Sequence, residues 1–423
     1  MPDAPYFDTL ETRPPEAREA ALMAALPQAI AHAMARAPAL AAQLAGVDPR
    51  GIASRQALAT LPVLRKSELL QRQQACREAA LADGAARAMG GYSAVGWGQA
   101  LRVFASPGPI YEPESARPDY WRFARALYAA GVRADELVYN CFSYHFTPAG
   151  SMLETAAHAI GCTVFPGGTG QTEQQVRAMQ DLAPSAYTGT PSFLKIILEK
   201  ADELGVELPT LRRALVSGEA FPPSLRDWLA ARGVEGYQAY GSADLGLIAY
   251  ETQARDGLVL GEEIIVEIVR PGTGDPVAEG EVGEVVVTTL NPDYPLVRFG
   301  TGDLSAVMPG LSGCGRTNTR IRGWLGRADQ ATKVRGLFVH PTQVAAVLRR
   351  HPEAVRARLV VGGSVGEDTM TLHVEVTASP PGLAEAIAQS VRDVAKLRAD
   401  VRLCAPGVLP NDGKVIDDTR SYA

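Results

Sequence analysis

Paired cysteines are missing from this chain. Cys76, Cys141, Cys162, Cys314 and Cys404 are odd in number, widely scattered and never spaced C-x-x-C. That excludes a disulfide-stapled secreted scaffold and a zinc ribbon, and it points to the cytoplasm. A basic footprint is missing too. With 41 Lys and Arg against 47 Asp and Glu the net charge is -6, which excludes nucleic acid as a partner class. Long apolar runs are also absent. The start, "MPDAPYFDTLETRPPEAREAA", has acids and prolines where a secretory signal carries a basic and then an apolar region. The alanine-rich 20s to 40s are broken by Pro27, Arg36 and Pro38, so no membrane span is expected.

What is present suffices for several cores. A chain of 423 residues, 46% of them hydrophobic, makes two or three folding units at roughly 100 to 200 residues per domain. From about residue 15 to 90 the apolar spacing is helical, with "LPVLRKSELL" leading into a short helix. Helix and strand patterns then alternate, from "PDYWRFARALYAAG" and "ELVYNCF" through to "GYQAYGS". That rhythm predicts βα units around a mostly parallel sheet. Thr172 and Gln175 are spaced as a capping box at a helix start. Past residue 255, short strands such as "EIIVEIV" and "GEVVVTT" replace the helices. From about 327 a compact α+β pattern follows. The expected fold is α/β, with a large N-terminal domain over 1–326 that includes a β-rich subdomain at 255–326. A small α+β C-terminal domain over 327–423 sits on a hinge.

Chemistry-bearing residues collect in turns. "YQAYGSADLGLIAYE" runs a strand into Tyr240, Gly241, Ser242 and Asp244, and the carboxyl edge of a parallel sheet is where such proteins bind ligands. Asp244 offers a magnesium ligand and Tyr240 a stacking ring. "VRFGTGDLS" sets Asp303 in a glycine turn, where one carboxylate can take both hydroxyls of a ribose. "GWLGRADQATKVRGLFVHP" packs Arg327, Asp329, Lys333 and Arg335 around glycines, and "PNDGKVIDDTR" places Lys414 in a polar turn. Taken singly, each of these is ordinary turn chemistry. An acyl pocket is expected between "NCFSYHFTPAG" and "YTGTPSF", bringing Tyr144, His145, Phe146 and Tyr187 near "FPGGTGQ".

In order along the chain, "SGEAF", "YGSADLG", "VRFGTGDL", "CGRTNTRI", "GRADQATKVRG" and the terminal "GK" resemble the adenylate-forming superfamily, and within it the phenylacetate-CoA ligase family. The resemblance runs from about residue 60 to the C-terminus. It implies a small-molecule carboxylate substrate, an aromatic acid above others, with ATP, Mg2+ and coenzyme A. Asp303 would hold the ribose, and Arg327 would lie near the ribose or phosphate. Ser217, Gly218, Glu219, Ala220 and Tyr240 would line the adenine beside the Gly241–Ser242 turn. Asp329 would be the hinge. Lys414 would bridge the carboxylate and the α-phosphate, and the "VRG" segment with Arg335 would serve the second half-reaction. A homodimer is compatible with all of this.

The chain also departs from the family pattern. Ala243 and Asp244 stand where relatives carry a hydroxyl residue and Glu, Gln330 replaces a second Asp, and Cys314 has no companion for a zinc ion. The largest departure is "FASPGPIYEPES", residues 104–115, which aligns with a phosphate-binding loop. Ala105, Ser106, Gly108 and Pro113 stay in register, while Glu112 falls on the loop lysine and Glu114 on the residue after proline. Pro107 and Pro109 remove backbone donors. Glutamates facing a triphosphate must turn to solvent or meet it through a cation. Two other readings stay open here: an adenylating enzyme with a carrier-protein or amine acceptor, and a binding protein that has lost catalysis.

Overall fold

The computed structural model describes residues 4–79, 84–328, 332–335, 337–339, 341–363, 368–410 and 415–420, with only the backbone for Gly326, Arg327, Lys333, Phe338 and Thr342. Asp329 and Lys414 lie outside the described residues. The chain divides into two compact units, Met1–Leu325 and Gly326–Ala423. No helix among the described residues is long and apolar enough to cross a membrane.

The larger unit begins with helices. Pro15–Arg36 buries Leu22, Leu26 and Ile30 at four-residue spacing against Leu58, Leu61 and Val297. It runs through Pro27. The buried stripe on both sides of the proline outweighs one lost backbone hydrogen bond. The helix Lys66–Glu78 follows a two-residue strand, β1 (Leu64–Arg65). A hairpin then pairs β2 (Ala100–Ser106) with β3 (Ile110–Ser115).

A nine-stranded sheet forms the centre. β4 (Leu137–Asn140), β5 (Thr163–Phe165), β6 (Ala186–Gly189), β7 (Arg213–Val216) and the first half of β8 (Glu235–Ser242) are parallel, in spatial order β5-β4-β6-β7-β8. The helices between them are the crossovers that the βα rhythm predicts. The second half of β8 turns back on β9 (Gly246–Tyr250) in antiparallel pairing, and β10 (Leu258–Leu260) follows. β11 (Ile264–Val269), β12 (Gly283–Thr289) and β13 (Phe299–Ser305) make a second, antiparallel sheet that β1 joins in parallel. β14 (Val307–Met308) and β15 (Arg320–Ile321) return to the main sheet beside β10. The strands of 255–326 are thus shared between two sheets.

The capping box at Thr172 does not form. Gln171 caps the helix Thr172–Leu182 in a left-handed conformation, and no side chain closes the first turn. Gln175 is drawn away instead: its amide donates to the carbonyls of Gly167 and Gly170 at 2.9 and 3.1 Å, and it accepts from the Tyr139 hydroxyl at 2.7 Å. Glycine carbonyls in a tight turn need donors more than this helix start needs a cap.

The smaller unit is a four-stranded sheet. Ala354–Gly362 and Thr369–Val376 pair antiparallel, flanked by Asp400–Cys404 and Ile416–Asp418 in parallel. Leu359, Leu372, Ile387 and Val391 are part of its core.

The turn between β8 and β9 depends on one guanidinium. Buried Arg122 donates to the carbonyl of Leu245 and, at 3.3 Å, to that of Leu247. Arg122→Ala should lower the unfolding free energy by about 2 to 3 kcal/mol, the order expected when charge-assisted bonds to buried carbonyls are lost. Urea denaturation reads this, and a change below about 0.5 kcal/mol would rule the clamp out.

Candidate active site

The first part of the site is the place where β8 changes partners. Its parallel pairing ends with Gln238 opposite Val216, and its antiparallel pairing starts with Ala239 opposite Tyr250. Tyr240, Gly241, Ser242 and Asp244 therefore leave the carboxyl edge of the parallel strands, next to Ser217, Gly218, Glu219 and Ala220 at the end of β7. The Ser217 hydroxyl ties the two edges by donating to the Ala239 carbonyl at 2.7 Å. A Cβ on Gly241 would lie 2.6 Å from the Gly246 carbonyl oxygen, so the turn admits no side chain there.

The second part is a bulge on β13. Val286 pairs with Gly300 and Glu284 with Leu304, so Thr301, Gly302 and Asp303 stand opposite Val285 alone. Extra residues on one strand leave the ladder and re-aim their side chains. The Glu284 carboxylate fixes the bulge by accepting from the Gly302 amide at 3.2 Å and from Arg65. Asp303 then accepts from the Tyr240 hydroxyl at 2.9 Å through Oδ2 and from the Trp324 indole at 3.1 Å through Oδ1. Both oxygens of this carboxylate are thus held by donors from two other segments of the chain. Tyr240 and Asp303, 63 positions apart, meet here. Trp324, which the sequence reading passed over, sits one residue after a glycine in "GWLGR" and is half exposed.

The third part is the hairpin that replaces the phosphate loop. β2 and β3 pair up to Ser106 opposite Ile110, leaving only Pro107, Gly108 and Pro109 in the turn. The Ala105 amide donates to the Phe146 carbonyl, and the Tyr111 amide to Gln73 of the helix Lys66–Glu78. With two prolines and these donors committed, the segment offers no nest of free amides. Its alternation puts Glu112 and Glu114 on one face, and that face is buried: both side chains have 0% exposure. Glu114 is satisfied by the Ser151 hydroxyl at 2.7 and 2.9 Å and lies 3.5 Å from Arg102. For Glu112, Oε1 accepts from the Ser106 hydroxyl while Oε2 has no partner.

Glu112 faces Asp244. The Asp244 side chain is buried; its Oδ2 accepts from Lys66 Nζ at 2.8 Å, and its Oδ1 has no partner. Lys66 is the first residue of the helix Lys66–Glu78 and directly follows β1, so it enters beside the β13 bulge. Burial, and then the Asp244 charge, push the Glu112 carboxyl up to about 8, with the Ser106 bond and Lys66 pulling the other way. Lys66 was not among the residues expected from sequence; it is 178 positions from Asp244 and carries no local signal.

The remaining expected residues are placed as follows. Tyr144 accepts from Asn140 at 2.9 Å and bonds to Glu154, while His145 and Phe146 are exposed, Phe146 at 81%. Tyr187 is fully buried among Tyr139, Cys141 and Leu194, with its hydroxyl on the Thr190 carbonyl at 3.1 Å. The four are thus not brought to one surface. Arg335 in the smaller unit donates to Asp368 and is exposed.

The site thus joins an aspartate on a bulge, an aromatic residue bonded to it, and a carboxylate turn at a parallel-sheet edge. The AMP-binding enzyme family model matches residues 119–291. The chain is 33% identical over 377 residues to the phenylacetate-coenzyme A ligase of Thermus thermophilus, covering 85% of this chain and 81% of that one. It is 29% identical to the ligase of the same name from Aromatoleum evansii, over 72% and 74% of the two chains. It belongs to the phenylacetate-CoA ligase family and is an AMP-forming acid-thiol ligase that uses ATP and coenzyme A. Its fold matches a 2-hydroxyisobutyryl-CoA ligase crystallised with an acyl-AMP and CoA, at a TM-score of 0.76 and 24% identity over 99% of this chain and 94% of that one.

The family's magnesium ion can be tested against these side chains. Among the described residues no group of three or more His, Cys, Asp or Glu is arranged for a metal. Magnesium is usually held by one or two carboxylates, the rest being waters and substrate phosphates. The unpartnered Oδ1 of Asp244 and Oε2 of Glu112 are hard oxygen donors of that kind, so the residues present fit the ion.

The raised Glu112 carboxyl predicts a pH effect. Between about 4.5 and about 8 the unfolded chain has lost a proton that the folded chain keeps, so stability falls as pH rises through that window. Without divalent cations, the stability of Glu112→Gln relative to wild type should rise by at least about 1 kcal/mol from pH 5 to pH 8. Denaturation at the two pH values checks this, and a constant difference would contradict it.

Proposed function

We propose that the acid is an aromatic carboxylate of the phenylacetate class. In the first half-reaction a carboxylate oxygen attacks the α-phosphorus of ATP and pyrophosphate leaves. In the second, the thiol sulfur of coenzyme A attacks the acyl carbonyl and AMP leaves. The observation that carries this reading is the Tyr240–Asp303 hydrogen bond, which joins the β8 edge to the β13 bulge and sets a carboxylate, the acceptor type a ribose diol requires, beside an aromatic ring. Tyr240 with Ser217, Gly218, Glu219 and Ala220 orients the adenine, and Asp303 the ribose. Asp244 would hold the divalent cation, which would supply positive charge against the phosphates. The aromatic preference is supported by the names of the curated relatives. A cytosolic location belongs to the same reading, supported by five free cysteines.

Lys414 supplies the cation for adenylation, Arg327 contacts the nucleotide, Asp329 is the hinge between half-reactions, and Arg335 serves the second. A lysine aimed at the α-phosphate stabilises charge that builds only in the transition state. The domain limits expected from sequence, 1–326 and 327–423, belong to this proposal.

Carboxylate-dependent exchange of labelled pyrophosphate into ATP, over a panel of aryl and alkyl acids, tests the substrate class. Arylacetates should give the fastest exchange, and a preference for short alkyl acids would overturn it. Lys414→Ala should slow exchange by at least ~10²-fold while thioester formation from supplied acyl-adenylate changes much less. Equal losses in both half-reactions would remove Lys414 from its role.

A further inference from the structure

Three buried polar atoms in the larger unit lack a partner and share one neighbourhood. They are Glu112 Oε2 from β3, Asp244 Oδ1 from the β8–β9 turn, and the hydroxyl of Tyr294. Tyr294 is 2% exposed, and both carboxylate charges act on it. No hydrogen bond joins the three, so they do not satisfy one another. Buried polar atoms are nearly always paired, and this convergence therefore marks a missing common partner. Its charge follows from the residues around it. Among the described residues, the two carboxylate charges meet the ammonium of Lys66, which bonds to the other oxygen of Asp244 at 2.8 Å. With both carboxyls ionised the two open atoms are acceptors on a net negative group, and the partner that balances that charge is a cation.

We propose that Glu112 and Asp244 together hold a divalent cation, so that the grip on the triphosphate has passed from a loop lysine to a metal bound by the protein itself. Asp244 alone would be the ordinary metal contact of this reading; Glu112 is this chain's own addition. It stands where the resemblance puts the loop lysine, and its face of the hairpin is turned inward. Glu114 is not part of the site, because Ser151 bonds to both of its oxygens. The ligands are carboxylate oxygens only, which selects a hard ion of the magnesium or manganese type. Because two fixed carboxylates precede any substrate, the ion binds before the nucleotide does. Lys66 opposes it electrostatically and sets its affinity.

The inference rests on the ATP-using reading, and its test is independent of turnover. Nucleotide-free, chelator-stripped full-length protein is titrated with Mn2+, and free Mn2+ is followed by electron paramagnetic resonance. Wild type should bind one Mn2+ per chain. Glu112→Gln should weaken that binding by at least ~10-fold, in keeping with loss of one of two charged ligands. Lys66→Met should strengthen it several-fold, because a competing cation is gone; a purely structural ion pair would not do this. Circular dichroism checks both folds, and if the Gln variant does not fold, the Lys66→Met arm decides alone. Absent binding in wild type, unchanged binding in Glu112→Gln, or unchanged or weaker binding in Lys66→Met overturns the inference. Pyrophosphate exchange by the wild type, measured separately, would leave the ligase reading standing in any of those cases.

Discussion

One lysine serves two buried carboxylates. Lys66, Asp244 and Glu112 come from a helix start, a strand turn and a hairpin that are far apart in sequence, and their electrostatics tie those elements together. Burying an ion is costly unless it is paired, and removing one partner leaves the other exposed to that cost. With two acids and one base the group always lacks one positive charge. In the metal-free chain a proton on Glu112 fills the deficit, because burial first, and then the Asp244 charge, push that carboxyl up to about 8. A divalent ion fills it with charge to spare for phosphate.

The nucleotide side of the site rests on backbone irregularities. β8 is both the last parallel strand and the first antiparallel one, so Tyr240 falls where the two pairing patterns meet. β13 carries three residues against one on β12, which lifts Asp303 out of the ladder toward Tyr240. Both features sit in rigid sheet, so the bond between them is positioned by many neighbouring ladder bonds. Arg122 and Glu284 hold the two irregular segments from behind, one through carbonyls and the other through an amide.

Much of this was legible in the sequence where the signal is local or ordered. The βα rhythm gave the parallel strands, and the ordered motifs gave the family, the Tyr240 turn and the Asp303 turn. Long-range outcomes were not legible. The i, i+2 spacing puts Glu112 and Glu114 on one face, but acids on a strand read as a solvent face, and only packing turned them inward. Lys66 looked like any helix-start lysine. Pro27 read only as an interruption of an apolar run, and it lies inside a helix whose buried stripe outweighs its low propensity. Tyr187 read as a pocket residue from its strand-end position, yet its neighbours on the next helix close over it.

The hairpin shows what the loss of a phosphate loop entails. Lys66 is not a simple substitute for the missing loop lysine, since its charge is already engaged by Asp244 at 2.8 Å and shared with Glu112. With both acids ionised, the local sum is one negative charge on the side a triphosphate would approach. Two unit charges about 4 Å apart at an effective dielectric near 20 interact by about 4 kcal/mol, and here the sign is repulsive. Protonation of Glu112 removes that repulsion but supplies no attraction. Only a cation reverses the sign, so for this chain the metal is a condition for gripping phosphate rather than an accessory to a lysine that already does so.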